Sequence, residues 1–146
     1  MLIYLLVFGV SIGLTVYGEY LNKKENRKGF YLCMIFAVLL VVLLAGLRAV
    51  PVGTDGPAYE RWVYNAAECT SFAEARFVGR STEPIYMLLV YLVAKSTGNV
   101  NVLFFITASL TYGMYMFGIG KLGKNISIPY AWAAYLFLCY GYSLNS

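Results

Sequence analysis

Four stretches of this chain, residues 1–18, 29–47, 96–120 and 125–146, carry no charge and are dominated by aliphatic and aromatic side chains. Each reaches or nears the roughly 20 residues that a helix needs to cross about 30 Å of hydrocarbon. A fifth apolar run, 84–94, is little more than half as long. Charged residues gather between the runs, in Lys23-Lys24-Glu25-Asn26-Arg27-Lys28 and in the segment 48–83. The pattern predicts an all-α, polytopic integral membrane protein. It would have about five hydrophobic helices, one short, in a single membrane domain over 1–146 with a loop at 48–83.

The periodicity changes inside that loop. Pro51-Val52-Gly53 breaks the preceding helix, and Thr54 or Asp55 is placed to N-cap a helix beginning near Pro57. Tyr59, Trp62, Val63 and Ala66 then fall on one helical face, with Glu60, Arg61 and Glu68 toward solvent. Ser71-Phe72-Ala73-Glu74 has the form of a capping box and predicts a second short helix. Thr82 is placed to cap a third, starting near Pro84. The loop is therefore expected to be folded, partly helical and close to the membrane surface.

Composition agrees with the pattern: 60% of residues are hydrophobic and 12% charged, too apolar for a soluble domain of this size. The first run has no basic residue before its apolar core, and Tyr17-Gly18-Glu19 lacks a small-x-small cleavage pattern, so it is expected to stay as a helix. The net charge of +4 reflects membrane anchoring rather than a nucleic-acid partner, because the basic cluster sits between two apolar runs. By the positive-inside rule that cluster is cytoplasmic, the N-terminus faces out, and 48–83 lies on the outer face. The run 84–94 leaves two topologies open. If it crosses, Lys95 is inside and Lys121 and Lys124 are outside, against the rule. If it is re-entrant or interfacial, Lys121 and Lys124 are cytoplasmic. Gly113, Gly118 and Gly120 are expected to permit close helix approach.

The chain has no His and no Cys-x-x-Cys pair, so the usual zinc sites and a Ser-His-Asp triad have no residues to build them. No metal and no cofactor are expected. Cys33 and Cys139 lie in apolar runs, while Cys69 stands alone in the loop and is expected to react with reagents from outside. Any chemistry falls to carboxylates, Tyr, Arg or the backbone. The loop holds four of the five Arg (Arg48, Arg61, Arg76, Arg80), the single Asp and no Lys. Arg offers a fork of donors suited to phosphates, carboxylates and sugar hydroxyls. A transporter or lipid flippase would need ionisable residues inside its helices, and these runs contain none that ionise at neutral pH.

The sequence Gly46-Leu47-Arg48, then Val52-Gly53-Thr54-Asp55, Tyr59, and Glu83-Pro84-Ile85-Tyr86-Met87-Leu88-Leu89 before an aromatic-rich helix ending near Lys, resembles the EpsG family of exopolysaccharide assembly. Gly56-Pro57 after the Asp departs from the pattern and stiffens that turn. That family is similar to the Wzy-type polysaccharide polymerases, all-helical membrane proteins that join lipid-linked repeat units at the outer face of the cytoplasmic membrane. The resemblance covers less than half of a usual family member, so the chain is expected to be an N-terminal portion. It implies a glycosyltransferase-type polymerase in exopolysaccharide, capsule or biofilm formation. The implied partners are a polyprenyl-diphosphate-linked oligosaccharide, membrane lipids, and a flippase and chain-length regulator of the same pathway.

On that reading Asp55 or Glu83 accepts the proton of the attacking sugar hydroxyl, and Arg48 stabilises the departing diphosphate. Arg61, Arg76 and Arg80 hold diphosphate or glycan, while Tyr59, Trp62 and Tyr64 stack on sugar faces. Plainer roles compete at each position. Asp55 is equally placed to cap a helix, Arg48 to anchor a helix end by snorkelling, and Glu83 to meet the positive end of a helix dipole. The alternative for the whole chain is a non-catalytic membrane subunit, or an inactive truncated remnant, of the same export machinery.

Overall fold

A computed structural model of the protein describes residues 2–47, 56–78, 83–122 and 126–140. Of the residues singled out above, Arg48, Pro51, Val52, Gly53, Thr54, Asp55, Arg80, Thr82 and Lys124 lie outside the described residues. The elements, in chain order, are α1 (Leu2–Lys23), α2 (Arg27–Gly46), α3 (Gly56–Glu68), α4 (Phe72–Val78), α5 (Pro84–Ser96), α6 (Val100–Leu122) and α7 (Ile128–Tyr135). A π-helical stretch, Leu136–Tyr140, continues α7. There is no strand among the described residues.

Helices α1, α2 and α6, with 22, 20 and 23 residues, are long and apolar enough to cross a membrane. At 1.5 Å per residue each spans about 30–35 Å. The protein is an all-α integral membrane protein. Of the fourth apolar run only a shorter helix, from Ile128 onward, falls in the described part.

Local chemistry sets the ends. Asn26 Oδ1 accepts the Gly29 N–H at 3.0 Å, an N-cap for α2, after a tight turn that holds Glu25 at φ 62. At the end of α5 the N–H groups of Thr97 and Gly98 both donate to Val93 O, at 2.9 and 3.1 Å. Gly98 adopts φ 63, the left-handed conformation that closes many helices and favours glycine. At α4 the expected capping box is displaced by one residue. Ser71 Oγ accepts the Glu74 N–H at 3.3 Å, but Glu74 Oε2 reaches back to Thr70, accepting its N–H at 2.7 Å and its hydroxyl at 3.0 Å.

The chain forms two compact units, 1–45 with 107–145 and 46–106. In the first, Phe8, Met34, Ala37, Val41, Met116, Ile119, Trp132 and Leu136 build the core. Its buried polar groups are paired: the Ser11 hydroxyl donates to Ala37 O at 2.8 Å and accepts the Trp132 indole N–H at 2.9 Å. This stitches α1, α2 and α7 together where no water competes. Helices α1 and α2 approach closely at Gly18, where a Cβ would lie 2.6 Å from Met34 Cε and 3.0 Å from Cys33 Cβ. The close approach expected at Gly113, Gly118 and Gly120 is not what the structure shows. A Cβ at any of them meets no described atom within 4 Å, and Gly113 borders an open cleft against Met34, Val38 and Val42 of α2.

The second unit contains α3, α4, α5 and the start of α6 around Val63, Ala66, Cys69, Ala75, Val90, Val93 and Leu103. Helix α3 lies along α5 in the same direction. At their starts Tyr86 meets Tyr59 and Trp62, with ring centroids 6.0 and 6.4 Å apart. At their ends Lys95 Nζ donates to Ala67 O at 2.9 Å. The expected faces of α3 are observed: Val63 and Ala66 are buried, Tyr59 and Trp62 half-buried, and Glu60, Arg61 and Glu68 exposed. Helix α4 seats Phe72 against Tyr91, centroids 5.9 Å apart, and buries Ala75.

Candidate functional site

Glu83 is the N-cap of α5, in an extended conformation (φ −100, ψ 94), with Pro84 as the first helical residue. That proline supplies a fixed φ where the missing N–H would have no helical partner anyway. The Glu83 side chain is exposed and makes no side-chain cap hydrogen bond, while its carboxylate stands at the positive end of the α5 dipole. One turn on, half-buried Tyr86 comes within electrostatic reach of Glu83. Tyr86 opens an aromatic cluster centred on Tyr59, whose ring stands edge-on to Trp62, Tyr86 and Phe104 at 5.4, 6.0 and 6.0 Å. Such pairs add to burial through the ring quadrupoles.

The sequence-predicted residues are thus distributed unevenly. Glu83, Tyr59 and Trp62 come together through Tyr86. Arg61 stands two residues from Tyr59 on the exposed side of α3, and Arg76 is exposed in the last turn of α4. Tyr64, grouped with Tyr59 and Trp62 as a sugar-stacking ring, is separated from them. It is 66% exposed and borders an open cleft of about 500 Å³ with Glu60, Ala67, Gly98, Asn99 and Asn101. Of the three rings it offers the most free surface.

Cys69 corrects an expectation. Rather than standing open in a loop, it is 5% exposed, in the core of the second unit, with Sγ donating to Asn65 O at 3.2 Å. Burial pushes its thiol above the ordinary range, and nearby Glu74 adds to this. Since the thiolate is the nucleophile, native Cys69 is a poor probe of which face the loop occupies.

Three residues named in the sequence received no site role there. Tyr86 carried a readable signal, since Glu-Pro-x-Tyr places the phenol one helical turn after the carboxylate. Lys95 reads as an anchor at a helix end, yet it closes the last turn of α3, where a cation meets the negative end of the dipole. Gly46, the first residue of the Gly-x-Arg motif, lies against Phe105: a Cβ there would fall 2.5 Å from the ring.

Three candidate membrane-crossing helices, joined to a compact helical unit that carries Arg and carboxylates, define an α-helical integral membrane protein with a folded inter-helix segment. Residues 30–146, most of the chain, match the EpsG family. The chain belongs to that family, which gives it a general exopolysaccharide-related role. No curated protein and no solved structure matches it.

Proposed function

We propose that this chain takes part in polymerising polyprenyl-diphosphate-linked oligosaccharide repeat units at the outer face of the cytoplasmic membrane. The observation that carries the reading is the family match over residues 30–146, which includes both 46–55 and Glu83-Pro84. Glu83 itself is an exposed carboxylate at the start of α5, within electrostatic reach of Tyr86 in the Tyr86–Tyr59–Trp62 cluster.

In the proposed reaction a sugar hydroxyl of the incoming lipid-linked unit attacks the anomeric carbon of the growing glycan. The bond to the polyprenyl diphosphate breaks with that electron pair on the diphosphate oxygen. A carboxylate, Glu83 or Asp55, takes the hydroxyl proton. Arg48, one residue past the end of the second apolar run, meets the leaving diphosphate, where a guanidinium can hold two oxygens at once. Arg61, Arg76 and Arg80 offer further cations to diphosphate or glycan. A flippase and a chain-length regulator are the fitting partners.

Glu83→Gln is the direct test, in the strain that carries the protein. The substitution keeps size, and α5 has no side-chain cap hydrogen bond from Glu83 to lose. Loss of a general base typically costs about 10²–10⁴-fold, so polymer yield should fall at least about 100-fold at unchanged protein level. Normal yield and chain length would remove Glu83 from the reaction and leave Asp55 as the base; normal polymer from Asp55→Asn as well would favour a non-catalytic membrane subunit.

A further inference from the structure

The two faces of α5 differ in a way that bears on its place in the membrane. Met87, Val90, Val93 and Ala94 are buried in the core of the second unit. On another side Ile85, Leu88 and Leu92 form a stripe at i, i+3 and i+7, exposed by 84%, 43% and 55%. That spacing is one face of a helix. Large apolar side chains so exposed mark a surface that meets something other than water. Two neighbours of this unit in the chain are α2 and α6, both long and apolar enough to cross a bilayer. The segment leading from α5 to α6 is only Thr97, Gly98 and Asn99. A bilayer is therefore at hand for the stripe.

The partner helix limits how deep α5 can go. Helix α3 accompanies it from the Tyr59–Tyr86 contact to the Lys95–Ala67 hydrogen bond. Glu60, Arg61 and Glu68 are exposed along α3, and charged groups are expensive in hydrocarbon. If α5 crossed, α3 would be drawn across with it, charges included. At 13 residues, α5 is also only about 20 Å long, short of the hydrocarbon thickness.

We infer that α5 enters one leaflet without crossing: Ile85, Leu88 and Leu92 face lipid acyl chains, while α3 lies on its other side and holds both ends of α5 on the side of α3 and α4. Helix α6 then starts on that side and crosses to the other. Lys121, in its last turn, joins Lys23, Lys24, Arg27 and Lys28 on one face, as the positive-inside tendency requires. Lys95 needs no place on that face, because its ammonium is bonded to α3. The inference concerns the bilayer alone and stands whatever reaction the protein serves.

Single cysteines in a chain with Cys33, Cys69 and Cys139 replaced by alanine test it in native membranes. Thr70→Cys marks the α3–α4 turn, Ser96→Cys the end of α5, and Lys24→Cys the basic loop. A membrane-impermeant maleimide should label Ser96→Cys and Thr70→Cys under the same condition, intact or permeabilised cells. Lys24→Cys should label under the opposite one, with rates differing at least ten-fold between conditions. Thr97→Cys repeats the reading one residue on if Ser96→Cys fails to accumulate. Ser96→Cys labelling together with Lys24→Cys would show that α5 crosses and overturn the inference. A nitroxide on Leu88→Cys then tests the stripe in reconstituted phospholipid vesicles. Collisions with oxygen should dominate over those with a water-soluble nickel chelate. A nitroxide shielded from both would mean that protein covers the stripe. One reached mainly by the chelate would mean water does. Either result would overturn the lipid contact.

Discussion

Gly46 shows how a residue can matter through what it lacks. The Phe105 ring occupies the space that a Cβ would need, with Cγ and Cδ2 both 2.5 Å from its ideal position. The clash is with the body of the ring, so relief requires the whole aromatic to move. Gly46→Ala should destabilise the protein by about 1–3 kcal/mol, the usual range for overpacking, seen as a lower melting temperature in detergent. Phe105→Leu in the same chain should return part of the loss, because the two positions are directly coupled. Gly113→Ala is the control. With no described atom within 4 Å of its Cβ, it should be neutral or gain about 0.5 kcal/mol from lower backbone entropy. Equal losses from Gly46→Ala and Gly113→Ala would show that helix propensity, not the ring, sets the effect. Contacts of this kind were closed to sequence reading. Gly46 with Phe105, and Ser11 with Trp132, join residues far apart in the chain, and nothing local distinguishes Gly46 from Gly113.

At the scale of elements, the chain was legible where one physical demand dominates. Hydrocarbon tolerates neither charge nor unpaired backbone, so the charge-free runs predicted α1, α2 and α6. Their ends moved by a few residues, since α1 continues to Lys23 and α6 begins at Val100. The amphipathic period foretold α3 and its faces. What it could not give was the partner of the buried face, which proved to be α5. The start of α4 was predicted to the residue, and so was the Ser71 half of its capping box; the Glu74 half was not, because its carboxylate takes two donors from Thr70 in place of the Ser71 N–H. Those two hydrogen bonds, first the Thr70 N–H and then its hydroxyl, hold the Glu74 carboxyl below its ordinary range. A group depressed on folding stabilises the folded form above its unfolded pKa and loses that contribution as pH falls through the folded value. Amide exchange at Thr70 and at the first turn of α4 should thus accelerate as pH drops through and below the carboxylate range, beyond the intrinsic pH effect. In Glu74→Gln the extra acceleration should vanish. An unchanged pH profile in that variant would show that the carboxylate does not tie down the start of α4.

For the molecule as a whole, orientation rests on a few cations. Lys23, Lys24, Arg27 and Lys28 flank the turn between α1 and α2 and are all exposed. Exposed Arg61 and Arg76 belong to the second unit, beyond α2. If α5 is confined to one leaflet as proposed, Lys121 shares the face of the first group, and the other side holds Arg61, Arg76 and Lys95 mixed with Glu60, Glu68, Glu74 and Glu83. Each cation near an anionic surface contributes roughly 1 kcal/mol. Replacing Lys23, Lys24, Arg27 and Lys28 by Gln therefore removes about 4 kcal/mol of bias, on the order of a thousand-fold in the preference between orientations. A measurable share of molecules, on the order of a tenth, should then insert inverted, with Lys121 among the remaining anchors. In those molecules Thr70→Cys labels only after permeabilisation. Replacing Arg61 and Arg76 by Gln should leave every molecule in its original orientation. Inversion caused by that second set, or none caused by the first, would mean that features other than cation placement orient the chain. The positive-inside argument for the side on which Glu83 stands would then lose its footing.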